Sequence, residues 1–365
     1  MDSEIITKRQ CMSIMAAFIL GSAIVLGVGS EAKKDAWIAI LAAMLISVPV
    51  FTVYGRILSL FPEKGLYEIL IIVFGKTFGK IMILPFMWFS FHLGALVIRN
   101  FTEFIMIVTL TKTPQYIVGI FLILLCIWAV KAGIEVIGRW TVIVLPAMIT
   151  AIFVITFLLI PLIELRNIKP IMYDGIKPIL NAAFSVFSFP FAETVLFMVV
   201  FCNLKKKENP YKIFFWSLLI GGGIIAMVAL RSILTLGEAN VSIFFFSTYA
   251  SVRLINIGEF LQRIEVLVGI IFISGGFVKI SICLYAASKG LSKVLSFQNY
   301  RQIVAPVGLL MMILSIIVYD NTTDMFDWAK DIYKYYALPF QIILPLIIWI
   351  TAEIKMRKKK GRAAA

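Results

Sequence analysis

Histidine, cysteine and charge are all scarce in this chain of 365 residues, and each shortage excludes a class of function. A single histidine, His92, and scattered carboxylates do not supply the clustered nucleophiles and bases of a membrane-embedded enzyme. We therefore expect no catalysis, no metal site and no cofactor. The four cysteines lie in or beside apolar segments without paired spacing, which indicates small buried thiols rather than a disulfide framework.

Charged residues make up only 15% of the chain and hydrophobic residues 61%, a composition far from that of soluble domains. Runs of eighteen or more apolar residues recur along its whole length. The first run, from about Cys11, is too long for a cleavable signal peptide and lacks a small-residue cleavage site. The composition predicts an all-α integral membrane protein.

Apolar segments near or above the twenty residues that a bilayer requires predict ten transmembrane helices in one domain, 1–365. The predicted spans, numbered first to tenth along the chain, are 10–30, 36–60, 80–110, 114–132, 138–162, 179–202, 211–236, 260–288, 302–319 and 336–354.

The net charge of +14 would suggest a nucleic-acid partner in a soluble protein, but membrane topology explains it without one. If the N-terminus is cytoplasmic, the inner loops and tails carry 21 of the 34 lysines and arginines, including the basic tail 355–365. The late outer loop from Asp320 to Tyr336 is acidic. Both termini are therefore predicted to be cytoplasmic, and contact of the tail with anionic membrane lipid is a weaker prediction.

The sixth span contains a proline, a hydroxyl and a carboxylate where lipid offers no hydrogen-bonding partner, in the stretch Phe187 to Thr194. Pro190 removes a helical hydrogen bond, and freed backbone groups are costly in a membrane. Glu193 lies beside the break, and an intramembrane carboxylate suggests function. A proline kink in a packed helix is the alternative to a helix unwound at a binding site.

The first span shows a similar weakness, because three glycines and a serine lie between Gly21 and Gly29. Small residues also allow close helix packing, which is the simpler explanation. Interrupted helices that open each half indicate a transporter fold with inverted repeats. We predict a five-plus-five inverted repeat, 10–162 and 179–354, with broken first and sixth helices.

Two other spans carry polar residues at helical spacing. In the third, Arg99 and Glu103 are four apart and can pair, either to hold the span in place or to form an outer gate. In the eighth, Ser281 and Tyr285 share a face that could line a pocket. Lys279 is expected to pair with a carboxylate, to bind backbone carbonyls or to become neutral.

Short motifs then carry a resemblance that extends over essentially the whole chain. They are Gly21-Ser22-Ala23-Ile24, Lys34-Asp35-Ala36-Trp37-Ile38, Tyr54-Gly55-Arg56, Phe61-Pro62-Glu63, Arg99 with Glu103, Thr113-Pro114, Glu135 with Arg139, and Phe189-Pro190-Phe191-Ala192-Glu193. Their order and spacing resemble the B subunits of spore-germination nutrient receptors, the spore permease family of the amino acid–polyamine–organocation superfamily. That family often has glycine where this chain has Ala192.

The resemblance implies a ten-span fold in the spore inner membrane, an amino-acid-like germinant, and A and C subunits of the germinant receptor as partners. Two functions stay open: a subunit that senses a germinant, or a secondary, proton-coupled amino acid transporter. The unpaired backbone groups at the two breaks predict a zwitterionic ligand. The predicted binding residues are Gly21, Ser22, Ala23, Ser188, Phe189, Pro190, Ser281 and Tyr285. The predicted gating or coupling residues are Arg99, Glu103, Glu193 and Lys279.

Overall fold

Long apolar helices dominate the computed structural model, which describes residues 4–204, 208–255 and 264–364. Nine helical segments of these ranges are long and apolar enough to cross a membrane. The predicted start of the eighth span, at 260, lies outside the described residues, as do Lys205, Lys206 and Lys207 of the basic loop. The prediction of an all-helical membrane protein is confirmed.

The α-helices of the spans, in chain order, are Lys8–Leu20 with Ala23–Leu26, Ala36–Leu60, Lys76–Val108, Gln115–Ala132, Ile134–Leu159, Ile176–Val186 with Phe197–Val200, Pro210–Ile243, Glu265–Leu295, Val304–Ile317, and Thr322–Asp327 with Tyr333–Leu338 and Leu344–Ala364. Two shorter helices, Leu66–Phe74 and Ser247–Val252, lie between spans. Single turns of 3-10 or π geometry are Ser30–Asp35, Ile160–Leu162, Leu165–Ile168, Phe187–Phe191, Ala192–Leu196, Phe201–Asn203, Tyr300–Gln302, Trp328–Ile332 and Pro339–Ile343.

Both ends of the described chain lie on one face of the molecule, which we call the tail face. Glu4 accepts a hydrogen bond from Arg301 at 2.7 Å, and the Ile6 amide donates to the Asn203 carbonyl at 2.7 Å. Lys355 donates to the Ile72 carbonyl at 2.6 Å. The opposite side, the loop face, is held by ion pairs such as Lys33–Asp174 at 3.0 Å.

The ninth segment, Val304–Ile317, has 14 residues and is shorter than the other spans. It nevertheless runs from the tail face to the loop face, because Tyr300 before it bonds Glu4 and its end accepts a bond from Arg99. A helix of this length extends about 21 Å. With this segment, the described residues contain ten helical segments that run between the two faces, an even number that agrees with two ends on one face.

The chain is helical from Thr322 to Leu338, so the prediction of a loop from Asp320 to Tyr336 is wrong, and its location on the outer side stays a prediction. The Asn321 side chain accepts from the Asp324 amide at 3.0 Å and starts a helix at Thr322. Met325 and Tyr333 are buried on the inner side of these turns. The segment has buried apolar residues between its aspartates, and their burial stabilises helical turns. The prediction of a loop considered only the negative charges.

The first and sixth spans are both broken, as predicted. Gly21 ends the first helix with φ 11° and ψ −118°, and Gly27, at φ 65°, ends the next one. The second part of this span is therefore only four residues, Ala23–Leu26, shorter than the half-helix expected to run towards residue 30. Inside the sixth span, Phe189 has extended angles, φ −132° and ψ 112°.

The eighth span packs backbone to backbone against the first break. A Cβ on Gly275 would lie 3.0 Å from the Gly21 Cα, and one on Gly276 would meet the Phe101 ring. The two glycines are thus what allows the eighth span to lie beside Gly21. This contact brings the next charged residue of that helix, Lys279, to the centre of the molecule.

Candidate functional site

A buried ion pair lies between the two broken helices. The Lys279 Nζ is 2.5 Å from a Glu193 carboxylate oxygen, and both side chains are 0% exposed. The same ammonium lies 4.5 Å from the centre of the Phe189 ring and 5.2 Å from that of Phe18. Of the three expectations for Lys279, pairing with a carboxylate is the one that the structure shows.

This pair joins the eighth span to the sixth, directly beside the break of the first. A Cβ on Gly21 would lie 2.9 Å from the Lys279 Cδ. Glu193 and Lys279, predicted to act in gating or coupling, therefore lie beside the predicted binding residue Gly21. A buried pair of this kind is a weak source of stability, but removing one partner is strongly destabilising.

The tenth span contributes a residue that the sequence analysis missed. The Tyr333 hydroxyl donates to the second Glu193 carboxylate oxygen at 2.5 Å, and Tyr333 is buried. Its ring packs against Trp328, with centroids 5.4 Å apart. The missed signal was the apolar side of 325–333, which predicts a helix that faces the core.

Gln341, also in the tenth span, holds the break of the sixth. Its side-chain amide donates to the Ser188 carbonyl at 2.8 Å and accepts from the Ser188 hydroxyl at 3.1 Å. The Phe187 carbonyl accepts from the Ala192 amide. The carbonyls expected to be free for a ligand near Phe187 are thus already bonded within the protein, because unbonded carbonyls are costly in a membrane.

The first break is less fully bonded. The Gly21 amide still donates to the Ala17 carbonyl at 2.8 Å and completes the preceding helix. The Ser22 hydroxyl is buried and makes no hydrogen bond to any described residue. Such a group is expensive to bury unless something else binds it. The geometry at Ser22 therefore agrees with a place for a polar ligand group.

A cavity of about 40 Å³ lies on the loop-face side of the breaks. Its lining includes Glu193, Phe189, Tyr333, Trp328, Tyr319, Leu93, Leu96, Val97 and Asn100. It continues into a mouth of about 80 Å³ lined by Leu26, Gly27, Ser30, Glu31, Ser185 and Lys330, among others. The inner part has room for about three waters.

Phe189 is the one predicted binding residue that lines this cavity among the residues described. Ala23 instead borders a separate cavity between the first and seventh spans. Pro190 is buried in the turn Phe187–Phe191 of the sixth span. Ser281 is fully buried, two residues beyond Lys279 on the eighth span. The structure therefore brings Gly21 and Phe189 together with the Glu193–Lys279 ion pair, and the cavity adjoins the pair at Glu193 and Phe189.

Tyr285 lies apart from this group, near the tail face. Its hydroxyl donates to the Asn203 side chain at 2.8 Å and accepts from Lys289 at 2.6 Å. Asn203 in turn donates to the Glu4 carbonyl at 3.1 Å. Tyr285 is thus part of a polar network that closes the tail face, and the structure does not bring it to the breaks.

The same network extends to Arg301 and Tyr300. The Tyr300 hydroxyl and the Glu4 carboxylate raise the pKa of the Arg301 guanidinium, and burial raises the pKa of Tyr300. The Tyr300 hydroxyl also donates to Glu4 at 2.8 Å. Arg301 is therefore charged and Tyr300 is neutral at neutral pH. Both side chains can then donate hydrogen bonds to the Glu4 carboxylate.

Arg99 and Glu103 pair at 2.8 Å near the loop face, as the spacing suggested. Arg99 also donates to the Ile316 carbonyl at 2.9 Å, and Thr322 donates to Glu103 at 2.8 Å. The pair therefore holds the end of the ninth span and the start of the tenth against the third. Its proposed role as an outer gate stays a prediction.

Two broken helices beside a buried charged centre, in a bundle of long apolar helices, define a membrane protein with a transporter-type fold. The structure of Mhp1, a nucleobase-cation-symport-1 family transporter with bromovinylhydantoin bound, is similar with a TM-score of 0.67 and 14% identity, over 94% of this chain and 78% of that one. A Na⁺-coupled sialic acid symporter is similar with a TM-score of 0.65 and 12% identity, over 96% and 89%. At these identities the likeness concerns the fold.

The family model described as "Spore germination protein" matches residues 5–324. Spore germination protein KB of Bacillus subtilis (strain 168) is 30% identical over 371 residues, covering 100% of both chains. Spore germination protein YndE of the same organism is 23% identical over 335 residues, covering 90% of both. The chain belongs to the spore permease family of spore germination proteins, which confirms the resemblance drawn from the sequence.

Proposed function

We propose that this protein is the germinant-binding membrane subunit of a spore germination receptor and that its germinant is a small amino acid. The observation that supports this most directly is the buried Glu193–Lys279 pair at the base of a cavity between two broken helices. A site of this kind offers charge without the clustered nucleophiles of an enzyme. Its role is therefore binding rather than catalysis.

In this proposal the ligand lies between the first and sixth breaks and contacts Gly21, Ser22, Ala23, Ser188, Phe189 and Pro190. The cavity reaches Phe189 at the sixth break, and the unbonded Ser22 hydroxyl lies at the first break. Ser281 lies two residues after Lys279, on the other side of the eighth span, and would influence which side chain fits through the position of that span. Tyr285 would act from the tail-face network. The ligand-bound state is then transmitted through Glu193 and Lys279 to three helices, and Arg99 and Glu103 close the site from the loop face.

The proposed partners are the A and C subunits of the receptor and the lipids of the spore inner membrane. The tail face, which carries both ends of the described chain, would be cytoplasmic. The relatives named as spore germination proteins and the positive charge of the inner loops support this assignment. In the receptor, ligand binding would change the arrangement of the broken helices and so the contacts of this subunit with its partners.

A ligand screen on the purified full-length protein tests the proposal. Thermal unfolding in lipid nanodiscs would be followed with each of the twenty L-amino acids, and with sugars and nucleosides as competing classes. At 100 times its Kd, one ligand stabilises a protein by about 2.7 kcal/mol, which is readily seen as a raised Tm. We expect one or a few amino acids to raise the Tm. A sugar or nucleoside with a larger effect would contradict the proposal.

Uptake into proteoliposomes separates sensing from transport. The sensing subunit is expected to bind the labelled amino acid without accumulating it, with or without a pH gradient. Accumulation that depends on the gradient would favour the proton-coupled transporter instead. Protein-free liposomes and liposomes that contain the Gly21→Leu variant serve as controls for leakage.

A further inference from the structure

We propose that the Glu193 carboxylate is the ammonium-binding group of the ligand site, and that Lys279 is the counter-ion that keeps this carboxylate charged before the ligand arrives. This inference rests on the proposed function and adds to it the group that selects amino acids. It also gives Glu193 a role in specificity, where the sequence suggested gating or coupling.

The carboxylate has room for another donor on its cavity side. Glu193 lines the cavity, although its side chain is fully buried from the surface. An ionised carboxylate accepts about four hydrogen bonds. One of its oxygens faces Lys279 and the other accepts from Tyr333. An ammonium in the cavity can use the remaining positions without displacing either neighbour.

Aromatic rings surround the same position. Phe189, Trp328 and Tyr333 line the cavity together with Glu193. Ring faces attract cations, and the effect grows where water is excluded. The Phe189 ring already lies 4.5 Å from the Lys279 ammonium, so a cation at this depth is an arrangement that the site accommodates.

Two backbone carbonyls at the sixth break are weaker candidates for binding the ammonium. The Ser188 carbonyl is bonded to Gln341 and the Phe187 carbonyl to the Ala192 amide. An ammonium placed there would have to compete with bonds internal to the protein. In this proposal the pairing with Lys279 keeps Glu193 ionised, and hydrogen bonds to a charged acceptor are about twice as strong as neutral ones.

Charge balance explains why the ligand should be a zwitterion. The Glu193–Lys279 pair is neutral, and burying a net charge beside it is unfavourable. A simple amine would leave one uncompensated positive charge, and a hydroxy acid would leave one negative charge. A zwitterionic amino acid adds no net charge. Its carboxylate would face the mouth, where Asn100 and Ser30 offer donors and the lining contains one positive side chain, Lys330, and one negative side chain, Glu31.

The test compares ligand analogues across variants that keep the buried charges balanced. The amino acid with the lowest Kd in the screen would be measured by calorimetry beside its α-hydroxy analogue. We expect the wild-type protein to prefer the amino acid at least 100-fold. In the double variant Glu193→Gln/Lys279→Met, which has no buried charge, the preference should fall below about fivefold. Lys279→Met alone should also weaken the preference, because a buried carboxylate without its counter-ion becomes protonated.

Each outcome separates this inference from the proposed function. If the wild type binds amino acids and the folded double variant still prefers them more than tenfold, the ammonium subsite is wrong and the proposed function survives. If the wild type binds no amino acid but binds a sugar or nucleoside, the proposed function itself fails.

Tyr333→Phe keeps both charges and removes one hydrogen bond. It should retain most of the preference, and a complete loss there would also overturn the assignment to Glu193.

Discussion

At the scale of single residues, the centre of this protein depends on small side chains that admit a large charged one. The Lys279 side chain reaches Glu193 across the backbone of Gly21, and a Cβ at position 21 would approach both the Phe18 carbonyl, at 2.7 Å, and Lys279. From the sequence, Gly21→Leu should abolish binding while the protein stays folded. The structure shows that any side chain at this position also disturbs the ion pair.

We therefore predict that Gly21→Ala destabilises the protein. The methyl group must displace the Phe18 carbonyl or the Lys279 stem, and overpacking of this kind costs about 1–3 kcal/mol. Thermal unfolding of the purified variant would show a lowered Tm. Gly223→Ala is the matched control, since a Cβ there meets no atom within 4 Å, and alanine in a helix is favoured over glycine. An unchanged Tm for Gly21→Ala would contradict the close packing described here.

At the scale of secondary-structure elements, the tenth span determines the geometry of the sixth. Gln341 bonds both the hydroxyl and the carbonyl of Ser188 in the sixth span. Tyr333 bonds Glu193, which lies five residues after Ser188 in the same span. The break is therefore built from two elements that are distant in sequence. Proline weakens the helix, and glutamine supplies the hydrogen bonds that the weakened helix needs.

Gln341→Leu should destabilise the protein by about 1–3 kcal/mol, because it leaves the Ser188 carbonyl and hydroxyl buried without these partners. The measurement is again the Tm of the purified protein, together with the Kd for the amino acid found in the screen. Thr351→Val on the same span is the control, since the Thr351 hydroxyl bonds the Ile347 carbonyl within its own helix at an exposed position. Equal Tm values for the two variants would show that the break does not depend on Gln341.

At the scale of the whole molecule, both described ends lie on the tail face, and the charge pattern predicts that this face is cytoplasmic. Asp327 is exposed on the loop face and Arg139 on the tail face. These two positions are suitable probes, because they lie in the described part of the chain. They test the orientation from both sides.

In right-side-out vesicles from intact cells, Asp327→Cys should react with an impermeant thiol reagent and Arg139→Cys should not. A Cys202→Ser background removes the native cysteine that is not fully buried. Permeabilisation should make Arg139→Cys reactive and serves as the control for accessibility. The opposite labelling pattern would invert the topology and, with it, the side from which a germinant enters.

The sequence by itself determined the class of this protein, because transfer of long apolar runs into lipid is a local property of each segment. It also located the two breaks, since glycine and proline weaken a helix wherever they occur. Family membership followed from the order of short motifs. These features need no knowledge of which helices are neighbours.

The tertiary structure alone decided which groups meet. The sequence required a partner for Lys279 but could not choose Glu193, because the two residues are 86 positions apart and meet only when Gly275 packs on Gly21. The sequence analysis placed Tyr333 in a loop. It assigned no role to Gln341, which lies within an apolar run. Their roles arise from the position of the tenth span beside the sixth, where buried polar groups must find partners in other helices.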